Sequence, residues 1–150
     1  MAYTDSKIQC IGTGVTDAAT IGFARNVAVA CLVHHPCILY AVGAIIRVAL
    51  TSEASSLVVT RRVTPYNDVT GVTNVATITI PTLTVAGTII YIKGLAARTA
   101  ANLLPVMLNA GDELKFVMAN TGGNQYWVPW YEAYPRPETY ANNSDFVLSA

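Results

Sequence analysis

The chain has 150 residues, with nine basic and nine acidic residues that give a formal net charge of zero at pH 7. Only 12% of the residues are charged and 53% are hydrophobic, whereas an ordinary globular chain carries about 25% charged residues. The sequence has no cluster of Lys or Arg beyond one Arg pair, which excludes the basic face that nucleic-acid binding requires. The length predicts one domain over residues 1–150, and the low charge predicts that other copies cover part of its surface.

The N-terminal stretch MAYTDSKIQC has acidic and polar residues where a signal peptide would have a basic region followed by an apolar run. We therefore expect the protein to be used without secretion through that route. Residues 7–15 alternate weakly and contain two glycines, which is typical of an opening strand or of an N-terminal arm over residues 1–15. The three cysteines, Cys10, Cys31 and Cys37, are an odd number and predict no disulfide framework.

Residues 26–46, NVAVACLVHHPCILYAVGAII, form a run without any Lys, Arg, Asp or Glu that is long enough to span a membrane. Its centre argues against a span, because His34 and His35 are costly in lipid and Pro36 removes a helical hydrogen bond. The β-branched residues on both sides favour a pleated surface. The run therefore predicts two strands joined at residues 34–36, and no membrane partner.

Four residues in this run, Cys31, His34, His35 and Cys37, are of the types that bind zinc. Their spacing, C-x2-H-H-x-C, matches no recognised zinc motif, and no second ligand pair follows. Alternate residues of a strand also point to opposite faces, so the four side chains would not converge easily on one ion. We expect neither a metal nor another cofactor.

Further along the chain, turn chemistry divides the sequence into short β-segments. Residues 44–52 and 55–63 bracket Glu53 and Ala54, which predicts a hairpin. Residues 64–74 are rich in Pro, Asn, Asp and Gly and predict an exposed loop. The next predicted strand, VATITIPTL, is stopped by Pro81 or lies at a sheet edge.

A compact strand, TIIYIKGL, precedes residues 95–105, the only stretch with helical propensity, which predicts one or two helical turns or a loop. Turns are predicted at residues 109–112 and 121–124. The final strand, QYWVPWYEAY, is predicted to be interrupted at Pro129. Roughly eight such strands predict an all-β, single-domain β-sandwich or jelly roll. Residues 135–150 are fixed by prolines and then polar, which predicts a C-terminal arm.

The sequence contains no constellation that predicts catalysis. Asp112 and Glu113 are the closest acid pair, but adjacent strand residues face opposite ways. No G-x-S-x-G nucleophile elbow occurs, and only two histidines are available as bases. We therefore expect that the protein is not an enzyme.

The densest aromatic cluster lies in the last predicted strand. Flat amphipathic rings of this kind suit an anchor between subunits or a sugar-binding platform, while a strand at the edge of the core is the alternative. The candidate interface residues are Tyr126, Trp127, Trp130, Tyr131, Tyr134 and Arg136.

Four segments resemble, in order, the jelly-roll head decoration (cement) proteins of tailed bacteriophages. The resemblance covers about residues 40–150, and its most specific parts are NAGDEL and PRPET followed by NNSD. The four segments are LVVTRRVTPYNDVTG, ATITIPTLTVAGTIIYIKGL, LPVMLNAGDELKFVMANTGG and WYEAYPRPETYANNSDFVLSA.

This resemblance implies a viral structural protein that performs no chemistry. Such a protein is synthesised in the host cytoplasm and binds, as a homo-oligomer expected to be a trimer, to the major capsid protein on the outer surface of the virion head. A receptor- or carbohydrate-binding module of a phage tail or head fibre is the alternative, favoured by the aromatic cluster. A small metal-dependent jelly-roll enzyme is a third hypothesis, which two adjacent histidines support poorly.

Overall fold

The computed structural model describes residues 7–10, 23–24, 28–50, 55–63, 72–94, 98–119 and 126–135, with residues 7–10, 23–24 and 126 described by their backbone alone. These residues form strands in two antiparallel sheets and contain no helix. The predicted all-β sandwich is therefore confirmed, while jelly-roll connectivity stays a prediction. The described part of the chain has no helix long and apolar enough to cross a membrane.

The described strands follow one another along the chain, and several are very short. They are β1 Lys7–Cys10, β2 Phe23–Ala24, β3 Ala28–Leu32, β4 Cys37–Ile46, β5 Ser55–Arg62, β6 Val72–Ile80, β7 Ile89–Lys93, β8 Val106–Leu108, β9 Glu113–Ala119 and β10 Tyr126–Pro135.

The two sheets differ in size and share no strand. The six-stranded sheet has the order β1-β10-β4-β7, with β2 also paired to β10 and β8 to β4. The four-stranded sheet has the order β3-β9-β5-β6. Because β4 and β5 belong to different sheets, the hairpin predicted around Glu53 and Ala54 is wrong. Local turn propensity predicts a turn between two strands, but it does not predict whether those strands pair with each other.

The charge-free run at residues 26–46 forms β3 and β4, as predicted, with a connection at residues 33–36 that passes from one sheet to the other. The β8–β9 turn lies beside this connection and also passes from the six-stranded sheet to the four-stranded sheet. The Val33 N–H donates to the carbonyl oxygen of Asp112, and the Gly111 N–H donates to the carbonyl oxygen of Val33, both at 2.8 Å. Gly111 has a φ of 93°, which explains why glycine is used at this predicted turn.

The hydrophobic core lies between the inner faces of the two sheets. Trp127 and Leu39 of the larger sheet pack in one cluster with Phe116 and Leu57 of the smaller sheet, and all four side chains are fully buried. Pro129 lies within β10 and pairs with Ala44, so the predicted interruption of this strand is wrong. Apolar residues that face inward from both sheets therefore supply one contiguous core, while β4 and β8 are buried on both faces.

Residues 98–105 do not form the helical turns that were one of the two alternatives for this stretch. The Thr77 N–H donates to Ala101, and the Leu103 N–H donates to Val75, so this segment lies along the edge strand β6. The buried Asn102 side chain donates to the carbonyl oxygen of Lys93 at 2.9 Å. The segment thereby joins β6 of one sheet to β7 of the other and closes that side of the sandwich.

Candidate interaction surface

Strand β10 divides the predicted interface residues between two faces of the larger sheet. Trp127 is fully buried in the core, and the half-buried Tyr131 packs against the core from the same face. Trp130 and Tyr134 alternate with them and lie on the outer face. Tyr126 begins the strand and pairs with Ala24, whereas Arg136 lies outside the described residues. Trp127 therefore belongs to the core, which was the alternative prediction for the aromatic cluster, and it is not available to a partner.

The outer face is organised around a row of three residues in adjacent strands. Trp130 of β10 pairs with Gly43 of β4, which pairs in turn with Tyr91 of β7. A Cβ atom at Gly43 would lie 2.9 Å from two atoms of the Trp130 ring and would also collide with the carbonyl oxygen of Ile90. The absence of a side chain at Gly43 lets the indole lie across the sheet. Its ring centroid is then 6.1 Å from that of Tyr91, at an interplanar angle of 49°.

The neighbouring rows continue this surface in both directions. On one side Val128, Ile45 and Ile89 form an aliphatic row, and on the other Glu132, Ala41 and Lys93 form the row that carries charge. The surface composed of these three rows together with Tyr40 and Tyr134 is called the aromatic face below. Its exposed members are Ile89, Tyr91 and Lys93 of β7, and its buried members are Ala41, Gly43 and Val128. The half-buried members are Tyr40, Ile45, Trp130, Glu132 and Tyr134.

The two charged side chains of the aromatic face are both held by aromatic neighbours. Lys93 Nζ lies 5.4 Å from the centroid of the Tyr91 ring, within the range of a cation–π contact. The Tyr134 hydroxyl donates to Glu132 Oε1 at 2.9 Å, and the Tyr134 ring meets Tyr40 edge-on at 5.7 Å. Opposite charges thus balance within one row, and the face is otherwise apolar and aromatic.

Sequence reasoning missed the contribution of β7 to this surface. Ile89, Tyr91 and Lys93 alternate with half-buried residues, and Tyr91 is 53% exposed. The strict alternation in TIIYIKGL was a usable signal that these three side chains share one face. Their position beside Trp130 could not be predicted, because about forty residues separate the two strands in sequence.

A cavity of about 520 Å³ lies at the end of the sandwich where β4 begins. Its inner wall is apolar and includes the buried residues Leu108, Leu114 and Ala133, together with the half-buried Tyr131. Leu32 and the turn at residues 34–36 also line the cavity and are exposed, so the cavity opens to solvent there. Its described lining contains no Lys, Arg, Asp or Glu. We refer to it as the end cavity.

The Cys31 thiol and the Tyr131 phenol have raised pKa values. Burial raises the pKa of the Cys31 thiol to about 11, an effect to which Glu113 adds and against which a backbone hydrogen bond at Leu114 acts. Burial, followed by the proximity of Cys31 and Cys37, raises the pKa of Tyr131 to about 12. A thiol that stays protonated at neutral pH is a poor nucleophile. In the described ranges no three His, Cys, Asp or Glu side chains group together as a metal site.

Of the adjacent acids Asp112 and Glu113, Asp112 has a structural role. Asp112 is 2% exposed, and its Oδ2 accepts hydrogen bonds from Arg61 Nε at 3.0 Å and from the Asn109 N–H at 2.8 Å. Arg61 Nη2 lies 2.8 Å from the same oxygen. Glu113 begins β9 and is half-buried on the outer face of the four-stranded sheet. The Oδ2 atom of Asp112 therefore joins the β8–β9 turn to Arg61.

Comparison with known proteins gives no relative: no family model, curated protein or solved structure matches this chain.

Proposed function

We propose that this chain is a viral structural protein, a decoration or cement protein that binds the outer surface of a tailed-phage head. Its partners are the major capsid protein and further copies of itself, with a homotrimer as the expected assembly and the virion as its location. The sequence resemblance motivates this function. The aromatic face is the single structural observation that supports it, since the outer face of a solvated antiparallel sheet is ordinarily polar.

The composition of the aromatic face suits association with another protein. Interface centres are enriched in Tyr and Trp and depleted of charge, and Tyr91, Trp130 and Tyr134 lie together here. Only Lys93 and Glu132 carry charge, and they balance within one row. Docking of this face would therefore bury mainly apolar surface, which contributes roughly 25 cal/mol per Å² before the entropic costs of association. Binding should depend little on salt.

A protein of this kind acts mechanically. Each copy that bridges neighbouring shell subunits adds buried area, and that area must be exposed again before the shell can open. Repetition over a symmetric shell multiplies weak single contacts, because neighbouring attachments hold each copy at high effective concentration. This function requires a preformed apolar binding surface and no catalytic group.

The first test is the copy number of the protein in purified particles of the phage that encodes it. Quantitative mass spectrometry against the major capsid protein should give a ratio near that of the shell subunits. Particles lacking the protein should also open at a lower temperature. A ratio typical of a single vertex or tail, or complete absence from particles, would contradict a decoration role.

The second test asks whether the aromatic face makes the contact. Tyr91→Asp should weaken binding to undecorated capsids by at least about 30-fold, the size expected for loss of an interface hot spot. Thr79→Asp is the matched control, because Thr79 is exposed on the outer side of the other sheet. Equal weakening by both variants, with both folded, would count against the aromatic face as the docking surface.

A carbohydrate-binding module of a phage fibre is the second candidate, favoured by the exposed Tyr91 ring beside Trp130. Carbohydrate-binding sites also place hydrogen-bonding groups around the aromatic ring that stacks on the sugar. Within the described residues, Trp130 Nε1 is buried and has no hydrogen-bond partner, so it is not oriented towards a solvent-side sugar. A glycan array probed with the oligomeric protein would favour this candidate if it gave saturable binding that Tyr91→Ala removed.

A further inference from the structure

The connection between β6 and β7, residues 81–88, is a short loop held tightly by hydrogen bonds. The Thr84 hydroxyl donates to the Pro81 carbonyl oxygen at 2.7 Å. The Leu50 N–H donates to Thr84 at 2.8 Å, and the Gly87 N–H donates to Ile46 at 2.7 Å. These bonds anchor both limbs of the loop to the chain that follows β4. The loop is therefore preorganised.

This loop displays apolar side chains to solvent. Leu83 is 71% exposed and has a φ of 62°, a left-handed conformation that is strained for a bulky residue other than glycine. Val85 is 64% exposed. Strained backbone conformations cluster at functional sites, and burial of Leu83 within this protomer does not compensate for the strain. We refer to Leu83 and Val85 as the prong.

The prong and the end cavity lie at opposite ends of the sandwich. The end cavity includes Cys37, the first residue of β4, while the loop that carries the prong is bonded to Ile46, the last residue of that strand. At 3.2–3.4 Å per residue these ends are roughly 30 Å apart. A prong therefore cannot reach the cavity of its own chain, but it can reach that of another copy.

We propose that copies of this chain associate head to tail, with the prong of one copy inserted into the end cavity of the next. The two surfaces are complementary in character, since residues 81–88 carry no charge and the described cavity lining contains no Lys, Arg, Asp or Glu. The cavity volume of about 520 Å³ is in the range of pockets that bury a compact apolar group. Insertion would bury two exposed apolar side chains without the desolvation of a charge.

A contact between two different surfaces has a consequence that a two-fold symmetric contact lacks. Each copy keeps a free prong and a free cavity after the first association, so the contact either closes into a ring or continues as a chain. Three copies would form a trimer only if successive copies tilt enough to close. This contact deepens the self-association that is part of the proposed function and rests on it, but it is separable from capsid binding because it uses residues outside the aromatic face and requires no capsid.

The test uses two variants of the full-length protein that each disable one half of the contact. The prong variant carries Leu83→Lys and Val85→Lys, and the cavity variant carries Leu32→Lys at the exposed rim, opposite Glu113 in the sheet. The controls place the same number of charges on exposed positions outside the prong and the cavity lining, Thr82→Lys with Ala86→Lys in the loop and Ala28→Lys on β3, where residue 28 pairs with the uncharged Val117. Circular dichroism and thermal midpoints verify that all variants are folded.

Sedimentation velocity without capsids then distinguishes the outcomes. The unmodified protein and both controls should associate with rising concentration, and each disabled variant should show a dissociation constant raised by at least about tenfold. An equimolar mixture of the two disabled variants should form a dimer that does not grow, because only one intact prong and one intact cavity remain per pair. An unmodified protein that stays monomeric, or a mixture that behaves as its separate components do, would overturn the proposal whatever the capsid assays give.

Discussion

The outer faces of the two sheets differ sharply although both sheets bury their inner faces in one core. On the four-stranded sheet the outer positions mix polar and aliphatic side chains. One cross-strand row is Asn74, Thr60 and Lys115, while the central row is Thr77, Val58 and Val117. On the six-stranded sheet the equivalent central row is Trp130, Gly43 and Tyr91. One face carries polar and aliphatic side chains, and the other is organised around aromatic rings.

The contrast shows that strand formation and surface chemistry are separate requirements. Threonine favours strands because it is β-branched, yet it presents a hydroxyl to solvent. The four-stranded sheet uses this solution at Thr77 and Thr79. The six-stranded sheet instead has aromatic and aliphatic residues at its outer positions. Of these, Ile89 and Tyr91 on β7 expose apolar area to solvent.

The largest expected effect compares the two tryptophans of β10. Trp127→Ala should lower the free energy of unfolding by about 4 kcal/mol, because it removes a fully buried ring from the core. Trp130→Ala should cost less, about 2 kcal/mol, since its ring lies on the outer face. Urea denaturation of both variants measures the difference. Equal losses would mean that the aromatic face is packed as tightly as the core.

The next effect concerns charge at the β8–β9 turn. Asp112→Ala should cost about 3 kcal/mol, because it leaves Arg61 without its partly buried partner and the Asn109 N–H without its acceptor. Glu113→Ala is the control on the outer face of the smaller sheet and should change stability by no more than about 0.5 kcal/mol. Thermal and urea unfolding provide the measurement. Similar costs for the two variants would contradict a structural role specific to Asp112.

A methyl group added under the Trp130 ring should also destabilise the fold. Gly43→Ala forces the new Cβ against the indole and against the Ile90 carbonyl oxygen, and we expect a loss of about 2 kcal/mol together with altered tryptophan fluorescence. Ala30→Val, at an exposed position on the four-stranded sheet, adds more volume and should be nearly neutral. A neutral Gly43→Ala would show that Trp130 does not lie across this glycine.

The smallest effect is a dependence of stability on alkaline pH. Cys31 and Tyr131 have pKa values raised from 9.0 to about 11 and from 10.0 to about 12. As pH rises above about 9, the unfolded chain loses these protons before the folded protein does. Stability should therefore be constant below that pH and fall between pH 9 and 12, by on the order of 2 kcal/mol once partial solvent exposure is allowed for.

The measurement is a series of urea midpoints between pH 7 and 11, with Cys31→Ala and Tyr131→Phe as variants. Each variant should flatten part of the decline, because it removes one of the groups that ionise preferentially in the unfolded chain. A decline unchanged in both variants would assign the alkaline sensitivity to other groups, such as lysines.

Much of the local structure could be predicted from local chemistry. The histidine–histidine–proline turn, the glycine turn at Gly111 and the stop at Pro81 all follow from backbone restrictions of the residues themselves. The faces of the candidate interface residues could not be predicted. Trp130 and Tyr134 lie on the outer face, but Trp127 lies in the core, because alternation along β10 assigns neighbours to opposite faces without indicating which face is inward.

The sequence by itself determined that this protein is built of short strands and carries little charge, since both properties depend on residue type and on spacing over a few residues. Only the tertiary structure decided that β4 and β5 enter different sheets, that Tyr91 lies beside Trp130, and that the prong and the end cavity lie at opposite ends. These relations join segments distant in sequence, and they are fixed by the packing of two sheets around one core.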